Sequence, residues 1–525
     1  MKVLVAENIS SLGVDRLKEA GLDVHVRTGL SHQELIEAIK DCEALIVRSQ
    51  VTVNEEIIAA ADRLKVIGRA GVGVDNIDVD AATRRGIIVL NSPEGNTIAT
   101  AEHTFAMMMA LARNIPQAYA LLKSGKWERK KFIGVELYKK TLGVVGLGRI
   151  GSEVGNRAKA FGMKVLAYDP YLSPEKAEKL GIQPADLDTI VKTADFITVH
   201  TPLTKDTKHI IGDREFAMMK DGVRIINCAR GGIIDEKALY EWIKKQKVAG
   251  AALDVYEEEP PFESPLLSLD NVITVPHLGA STLEAQINVA VDVAEQIIKV
   301  LKGEPFNNAV NLPFLRPEVL ATTMPYLKLA EKLGSFQGQL TFNYISKVEL
   351  IYSGDLSHTE VRGLTAAFLK GFLTPMLGTE VNLVNASLLA KSRRIDVSQT
   401  KSGAPIDFNS LITTTVKSDK GTRTIAGTVL GKNEGKIVQL DGHSIDAVPE
   451  GHYLIIPHSD QPGIIGQVGT ILGKANINIA AMQVGRESIG GTSVMLLAID
   501  VQAPSDVLVE LSKINGIHGV DQVFL

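Results

Sequence analysis

Cysteine is nearly absent from the sequence: two residues, Cys42 and Cys228, in a chain of 525. That excludes a disulfide framework, and because both fall in strand-like runs they read as reduced core thiols. Long apolar runs are missing too. No segment approaches the roughly 20 consecutive apolar residues of a membrane span. The opening MKVLVAENIS reads as a strand and a turn, without an apolar stretch of signal-peptide length. The expectation is a cytoplasmic protein with no membrane partner. Neither sign of charge dominates: Lys and Arg number 56 against 61 Asp and Glu, a net charge of −5. Nothing in that balance draws the chain to nucleic acid, and an anionic substrate needs a local basic site. Tandem repeats and low-complexity tracts are lacking as well. What remains is an ordinary soluble composition, 45% hydrophobic and 22% charged, over a length that predicts about three domains with separate cores.

Across residues 1–302, short apolar runs alternate with amphipathic segments: KVLVA, DVHV, ALIV, KVIG, IIVL, TLGVVG, KVLAY, DFITVH, VRIIN, GAALDV and NVITV. Strands alternating with helices predict βαβ units and parallel sheets. The strands are too many for one sheet, so the reading is α/β with two doubly wound lobes. A long helical stretch from Ile98 to Ser124 separates them, and its Met107, Met108 and Met109 read as core packing. After the helix Ser281 to Lys302, GEPFNNAVNLPFLRPE with its prolines reads as a linker. A region of mixed helix and strand signals follows. From His452 the order YLIIPH, helix, INIAAMQV, SVMLLAIDV, helix, VDQVFL is βαββαβ, the split ferredoxin-like pattern.

The strand TLGVV runs into Gly146-Leu147-Gly148-Arg149-Ile150-Gly151 and then the helical SEVGNRAKAF. A lone GxGxxG is weak, but here a strand precedes it and a helix follows. A second strand, KVLAYD, then ends in Asp169, eighteen residues past Gly151. The glycines permit a tight turn and close approach to a pyrophosphate at the helix N-terminus. A carboxylate at 169 accepts ribose hydroxyls and repels a 2′-phosphate, which favours NAD over NADP.

Three later strand ends carry polar residues: Arg230 in RIINCARGGIIDE, Glu259 in DVYEEEPPFESP and His277 in NVITVPHLGAST. Ligands of open α/β sheets bind outside the carboxyl ends of strands. Moving a hydride between nicotinamide and a carbon bearing oxygen also moves a proton on that oxygen, and His does this best near neutral pH. A carboxylate bonded to the imidazole fixes its tautomer and raises its pKa. An Arg grips a carboxylate through two parallel hydrogen bonds and polarises the neighbouring carbonyl. Singly, each of these has a bland explanation; as a set beside a dinucleotide motif they read as catalytic.

VVGLGRIG, DFITVHTPLT, NCARGGIIDE, ALDVYEEEPP and PHLGAST, in this order, resemble the NAD-dependent D-2-hydroxyacid dehydrogenase family. GRAGVGVDNID, GKWERKKF and the C-terminal unit resemble its long-form branch that acts on 3-phospho-D-glycerate. The resemblance implies Arg230 as carboxylate and carbonyl clamp, His277 as acid/base and Glu259 as its partner. Glu257 and Glu258 stand beside it, but the family's glutamate immediately precedes Pro-Pro. It implies backbone amides around Val72 and Gly73 on the substrate carboxylate, and it adds Thr201, Cys228 and Asp254 to the cofactor contacts Gly146, Gly148, Arg149, Ile150, Gly151 and Asp169. For the substrate phosphate, Arg48 and Arg69 follow the runs ALIV and KVIG in the first lobe, and Arg129 of a neighbouring subunit contributes in the family. No metal is implied.

The same resemblance divides the chain into a discontinuous substrate-binding domain (residues 1–97 and 285–315), a nucleotide-binding domain (98–284), an α+β intervening domain (316–449) and a ferredoxin-like ACT domain (450–525). The ACT resemblance implies amino-acid sensing, with His458, Asp460 and Asn478 holding L-serine as feedback effector, and a homo-oligomer, a tetramer. Two rivals stand against the phosphoglycerate reading. One is the same chemistry on glyoxylate, hydroxypyruvate or 2-oxoglutarate, the last also expected as a side reaction. The other is an NAD-sensing interaction protein like the C-terminal-binding corepressors, which keep this fold and triad but lack an ACT-like tail.

Overall fold

A computed structural model describes residues 1–312, 317–340, 344–404, 407–419, 421–431, 433–486 and 488–525. Residues 313–316, the end of the linker and the expected domain boundary, lie outside them. The first sheet has five parallel strands, β1 (Lys2–Val5), β2 (Asp23–Val26), β3 (Ala44–Val47), β4 (Val66–Arg69) and β5 (Ile88–Leu90), in the order β2-β1-β3-β4-β5. β3 is buried at every residue, as a central strand covered on both faces must be. The helix Leu283–Lys302 returns to this sheet and buries Val293, Ala294 and Ile297 against Val3, Val5 and Leu17.

The second sheet has seven parallel strands: β6 (Thr141–Val145), β7 (Lys164–Tyr168), β8 (Gln183–Pro184), β9 (Phe196–Val199), β10 (Val223–Asn227), β11 (Val248–Leu253) and β12 (Val272–Thr274). Their order is β12-β11-β10-β9-β6-β7-β8. The chain winds outward from β6 through β7 and β8, then restarts at β9 on the other side. The crevice between the ends of β6 and β9 is therefore the topological switch point. All eleven apolar runs became strands; β8, two residues long and containing Pro184, carried no apolar signal. The helical stretch from Ile98 is two helices, Thr97–Arg113 and Ile115–Lys123, broken at Asn114, whose φ of 52° leaves the helical region. Met107 and Met108 are buried in the core on one face of the second sheet.

Beyond the linker, a six-stranded sheet packs against two helices, Pro317–Leu340 and Arg362–Leu377. The helices cross at glycine: a side chain on Gly371 would meet the carbonyl oxygen of Glu331 at 1.9 Å. The last unit has the βαββαβ order, its strands running His452–Ser459, Ile479–Arg486, Thr492–Ile499 and Asp521–Phe524 in one antiparallel sheet. One face packs under its own helices through Leu454, Ile456 and Leu497. The other, with Ile455, Leu496 and Val523, joins the hydrophobic core of the preceding domain.

Candidate active site

At the switch point, β6 ends in Gly146, whose φ of 95° turns the chain toward the helix Arg149–Ala160. Gly151 allows the helix to sit on that turn, since a Cβ there would lie 2.1 Å from the carbonyl oxygen of Gly146. Gly148 caps the helix without a side-chain hydrogen bond, and a Cβ on it would face open space. The helix N-terminus thus presents its N–H groups to a clear volume, as a pyrophosphate requires. Across the crevice, after β9, the hydroxyl of Thr201 is buried without a partner among the described residues. His200 beside it bonds Thr198 Oγ1 at 2.9 Å, and burial pushes its pKa down to about 4, so it is neutral. Asp169, after β7, accepts from Leu147 N and Tyr171 N at 2.8 Å each. It therefore fixes the glycine loop, and its carboxylate stands where a ribose would arrive. Arg149 pairs with Glu94 of the junction between the lobes at 3.3 Å. These features fit a dinucleotide.

His277 follows β12 and Glu259 follows β11. His277 Nδ1 donates to Glu259 Oε2 at 2.9 Å, and Glu259 Oε1 accepts from Tyr256 N at 3.2 Å. The hydrogen bond and charge of Glu259 outweigh burial and raise the His277 pKa. Burial pushes the Glu259 carboxyl up, but His277 more than offsets it and the net direction is down. The pair is therefore preset with the imidazole protonated more readily and Nε2 free for the substrate oxygen. Of its two neighbours, Glu257 pairs with His209 at 3.0 Å, while Glu258 is exposed and makes no hydrogen bond or ion pair among the described residues.

Arg230 closes the crevice from the end of β10. Its Nη1 donates to Ala229 O at 2.6 Å and its Nε to Asp75 Oδ2 of the first lobe at 3.2 Å. Of the two glycines after it, Gly231 is there for packing, since a Cβ on it would lie 1.8 Å from Tyr256 O, and Gly232 takes a φ of 77°. Opposite, the Val72-Gly73 turn lies against the guanidinium, and a Cβ on Gly73 would be 2.0 Å from Arg230 Nη2. Asn91 holds that turn through Val72 O at 2.6 Å. Arg69, the last residue of β4, is half-buried and its Nε has no partner among the described residues. Desolvation, with the charge of Arg230 next in weight, pushes its pKa down to about 10. Its charged neighbours are Arg230, Asp75, Glu7 and Arg48 in that order of weight, so a further anion here would meet three guanidiniums against two carboxylates. Arg48 donates Nη1 to Asn8 O at 3.2 Å, and its backbone N–H is fixed by the buried Glu7.

Other expected residues lie apart. Arg129 is exposed in the 3-10 turn Arg129–Phe132 and makes no hydrogen bond or ion pair among the described residues. In the C-terminal unit, His458 is buried with Nδ1 near Ile456 O at 3.1 Å. Asp460 accepts from Gly490 N at 3.1 Å, and Asn478 holds Asp500 at 2.9 Å. Among the described residues no hydrogen bond joins these three. Cys228 is a buried free thiol, raised by desolvation and by Asp254, so it is protonated. Asp254 is fully buried after β11 and accepts from Leu278 N at 2.6 Å and Gly279 N at 2.8 Å. Two groups went unnoticed in the sequence, Asn96 Oδ1 and Thr97 Oγ1, both buried and unpartnered after β5. The strand-end argument that found Arg69 reaches NSPEGNT as well.

A switch-point crevice shaped for a dinucleotide, an imidazole and carboxylate pair and a guanidinium facing a backbone turn define an NAD-dependent dehydrogenase of 2-hydroxy acids. The family described as D-isomer specific 2-hydroxyacid dehydrogenase, NAD binding domain, matches residues 105–279. The D-3-phosphoglycerate dehydrogenase intervening domain matches residues 322–441, and the ACT domain residues 452–516. A D-3-phosphoglycerate dehydrogenase of Archaeoglobus fulgidus is 51% identical, with 98% of each chain covered. That of Bacillus subtilis is 44% identical, covering 100% of this chain and 99% of the relative. Among solved structures, a glyoxylate reductase of Paecilomyes thermophila matches with a TM-score of 0.55 and 32% identity, over 59% of this chain and 98% of its own. A D-lactate dehydrogenase of Aquifex aeolicus, complexed with NAD and lactic acid, matches at 0.52 and 30%, over 58% and 96%. The chain belongs to the D-3-phosphoglycerate dehydrogenase family. No helix among the described residues is long and apolar enough to cross a membrane.

Proposed function

We propose that this enzyme oxidises 3-phospho-D-glycerate to 3-phosphohydroxypyruvate, the first step of L-serine synthesis. The observation that carries this reading is Arg69, half-buried with its Nε unpartnered among the described residues, and Arg48 as a charged neighbour. A 2-oxo acid carboxylate engages Arg230 and the Val72-Gly73 amides, which leaves two further guanidiniums for a second anionic group. Bound NAD supplies the acceptor for the hydride that leaves C2. His277 Nε2 takes the hydroxyl proton as the C2–H bond breaks and the C=O bond forms, and Glu259 holds Nδ1–H and the charge that develops. Arg230 orients the carboxylate and stabilises the nascent carbonyl. Asp169, with Gly146, Gly148, Arg149, Ile150, Gly151, Thr201, Cys228 and Asp254, holds the dinucleotide.

The substrate lobe is then residues 1–97 and 285–315, and the nucleotide lobe 98–284. Residues 316–449 and the ACT domain 450–525 form the regulatory part, with L-serine held by His458, Asp460 and Asn478. A second copy of the chain completes the site with Arg129. Supporting this, Ile115, Tyr119, Leu122, Trp127 and Ile133 are all more than half exposed on either side of that arginine, an unusual density of bare apolar side chains, and a tetramer is the assembly we favour. The buried free thiols suit the reducing cytoplasm. Because the clamp reads only the 2-oxo acid end, slow reduction of 2-oxoglutarate is expected. The test is NADH oxidation with 3-phosphohydroxypyruvate, glyoxylate and 2-oxoglutarate, each with and without L-serine. Strong preference for the phosphorylated acid, suppressed by serine, supports both halves. Turnover of the unphosphorylated acids alone removes the phosphate reading, and insensitivity to serine removes the effector.

A further inference from the structure

The catalytic histidine sits in a conformation that needs holding. His277 has a φ of 54°, a left-handed backbone that non-glycine residues seldom adopt. Three hydrogen bonds from one residue impose it: Asp254 O accepts from His277 N at 3.0 Å, and the Asp254 carboxylate accepts from Leu278 N and Gly279 N. This carboxylate is fully buried. Burial works against its charge, but the imidazole of His103 and the two amides outweigh it, and its pKa lies below the usual range. His103 Nε2 lies 3.3 Å from Asp254 Oδ1 in polar contact, is sealed from solvent, and makes no aligned hydrogen bond among the described residues. Thr100, one turn earlier on the same helix, donates to Gly279 O at 3.2 Å. The helix that begins at the junction of the lobes therefore grips the 277–279 turn twice, once directly and once through Asp254.

We propose that His103 is a positioning residue for His277: its Nε2, in polar contact with Asp254, fixes the rotation of the carboxylate that holds the catalytic turn. Cys228, the other group at Asp254, cannot take over, because a neutral thiol is a weak donor. Without His103, a buried carboxylate loses this polar contact, Asp254 is free to rotate away from Leu278 N, and the strained turn relaxes. The inference rests on the dehydrogenase reading above, and wild-type turnover of any 2-oxo acid with NADH is the control that separates the two.

The experiment is a double-mutant cycle. Losing one polar partner of a buried charge corresponds to about a 10- to 100-fold fall in rate. H103F is expected to lower kcat by that factor while KM for the oxo acid stays within about threefold, because the substrate clamp on Arg230 is untouched. H103Q, whose amide nitrogen reaches the position of Nε2, is expected to restore kcat to within about threefold of wild type. In an H277N background the residual rate should change by less than about twofold on adding H103F, since the group being positioned is gone. Should H103F not fold, H103N, whose amide stops short of Asp254, takes its place. A kcat within twofold of wild type in H103F overturns the proposal. So does an equal loss in the H277N background, which would mark His103 as merely structural.

Discussion

Replacing Glu259 by Gln keeps the shape of the residue beside His277 and removes its charge. In the native pair the carboxylate accepts from His277 Nδ1 at 2.9 Å and raises the imidazole pKa. Both side chains are part exposed, 49% for His277 and 39% for Glu259, so solvent screens the pair. A charge-assisted hydrogen bond is worth about 1.5–3 kcal/mol when buried. Screening puts this one at the lower end, which corresponds to about a tenfold loss in kcat. The direction of the pH effect is fixed by the sign of the shift. Reduction of the oxo acid needs protonated His277, so its rate falls as pH rises through the raised pKa; oxidation needs the neutral ring, so its rate rises through the same pKa. In E259Q the imidazole gives up its proton at lower pH, and both limbs move to lower pH. The assay is kcat against pH in both directions, wild type beside E259Q. Unmoved limbs, or limbs displaced to higher pH, would refute the pairing as the source of the tuning.

Arg69→Gln should raise KM for 3-phosphohydroxypyruvate by about 100-fold, since it removes charge-assisted bonds to the phosphate, while glyoxylate turnover changes little; steady-state kinetics with both acids checks this. Asp169→Ala should narrow the preference for NADH over NADPH and weaken NADH binding, because the same carboxylate fixes Leu147 N and Tyr171 N; fluorescence titration with each cofactor reads it. Asp460→Ala should abolish inhibition by L-serine and leave uninhibited kcat unchanged, measured as rate against serine concentration. Gly371→Ala should cost about 1–3 kcal/mol by overpacking the helix crossing at Glu331 O, seen as a lowered melting transition without loss of NADH affinity.

The α/β architecture was legible because both strands and helices there announce themselves locally: buried strands are continuous apolar runs, and glycines mark the turn at β6. The strand-end rule located Arg230, Glu259, His277 and Arg69 without any knowledge of their partners. It could not say that Arg230 reaches Asp75, 155 residues away, or that Asp169 is tied to the glycine loop it follows. His103 was missed because its helix, with Met107 and Met108, reads as core, and nothing in AEHTF tells which apolar-face polar residue faces a buried carboxylate. The domain after the linker gave only mixed signals. Its six-stranded sheet shares a core with the C-terminal unit, through Ile455, Leu496 and Val523, and a core divided between distant segments leaves no local period to read. His458 came from the ACT resemblance and its place in the turn before a helix; its burial in the single chain, on a strand paired with Ser493, is a feature that turn could not reveal.

The most direct test of the account compares 3-phosphohydroxypyruvate with hydroxypyruvate, two acids that differ only by the phosphate, by kcat/KM in the wild-type enzyme. If Arg48 and Arg69 exist to hold that group, the phosphorylated acid is preferred by at least about 100-fold, the worth of charge-assisted bonds to a partly buried guanidinium. Equal values for the two acids would contradict the account, leaving Arg230, Glu259 and His277 as the catalytic set of an enzyme for some other 2-oxo acid.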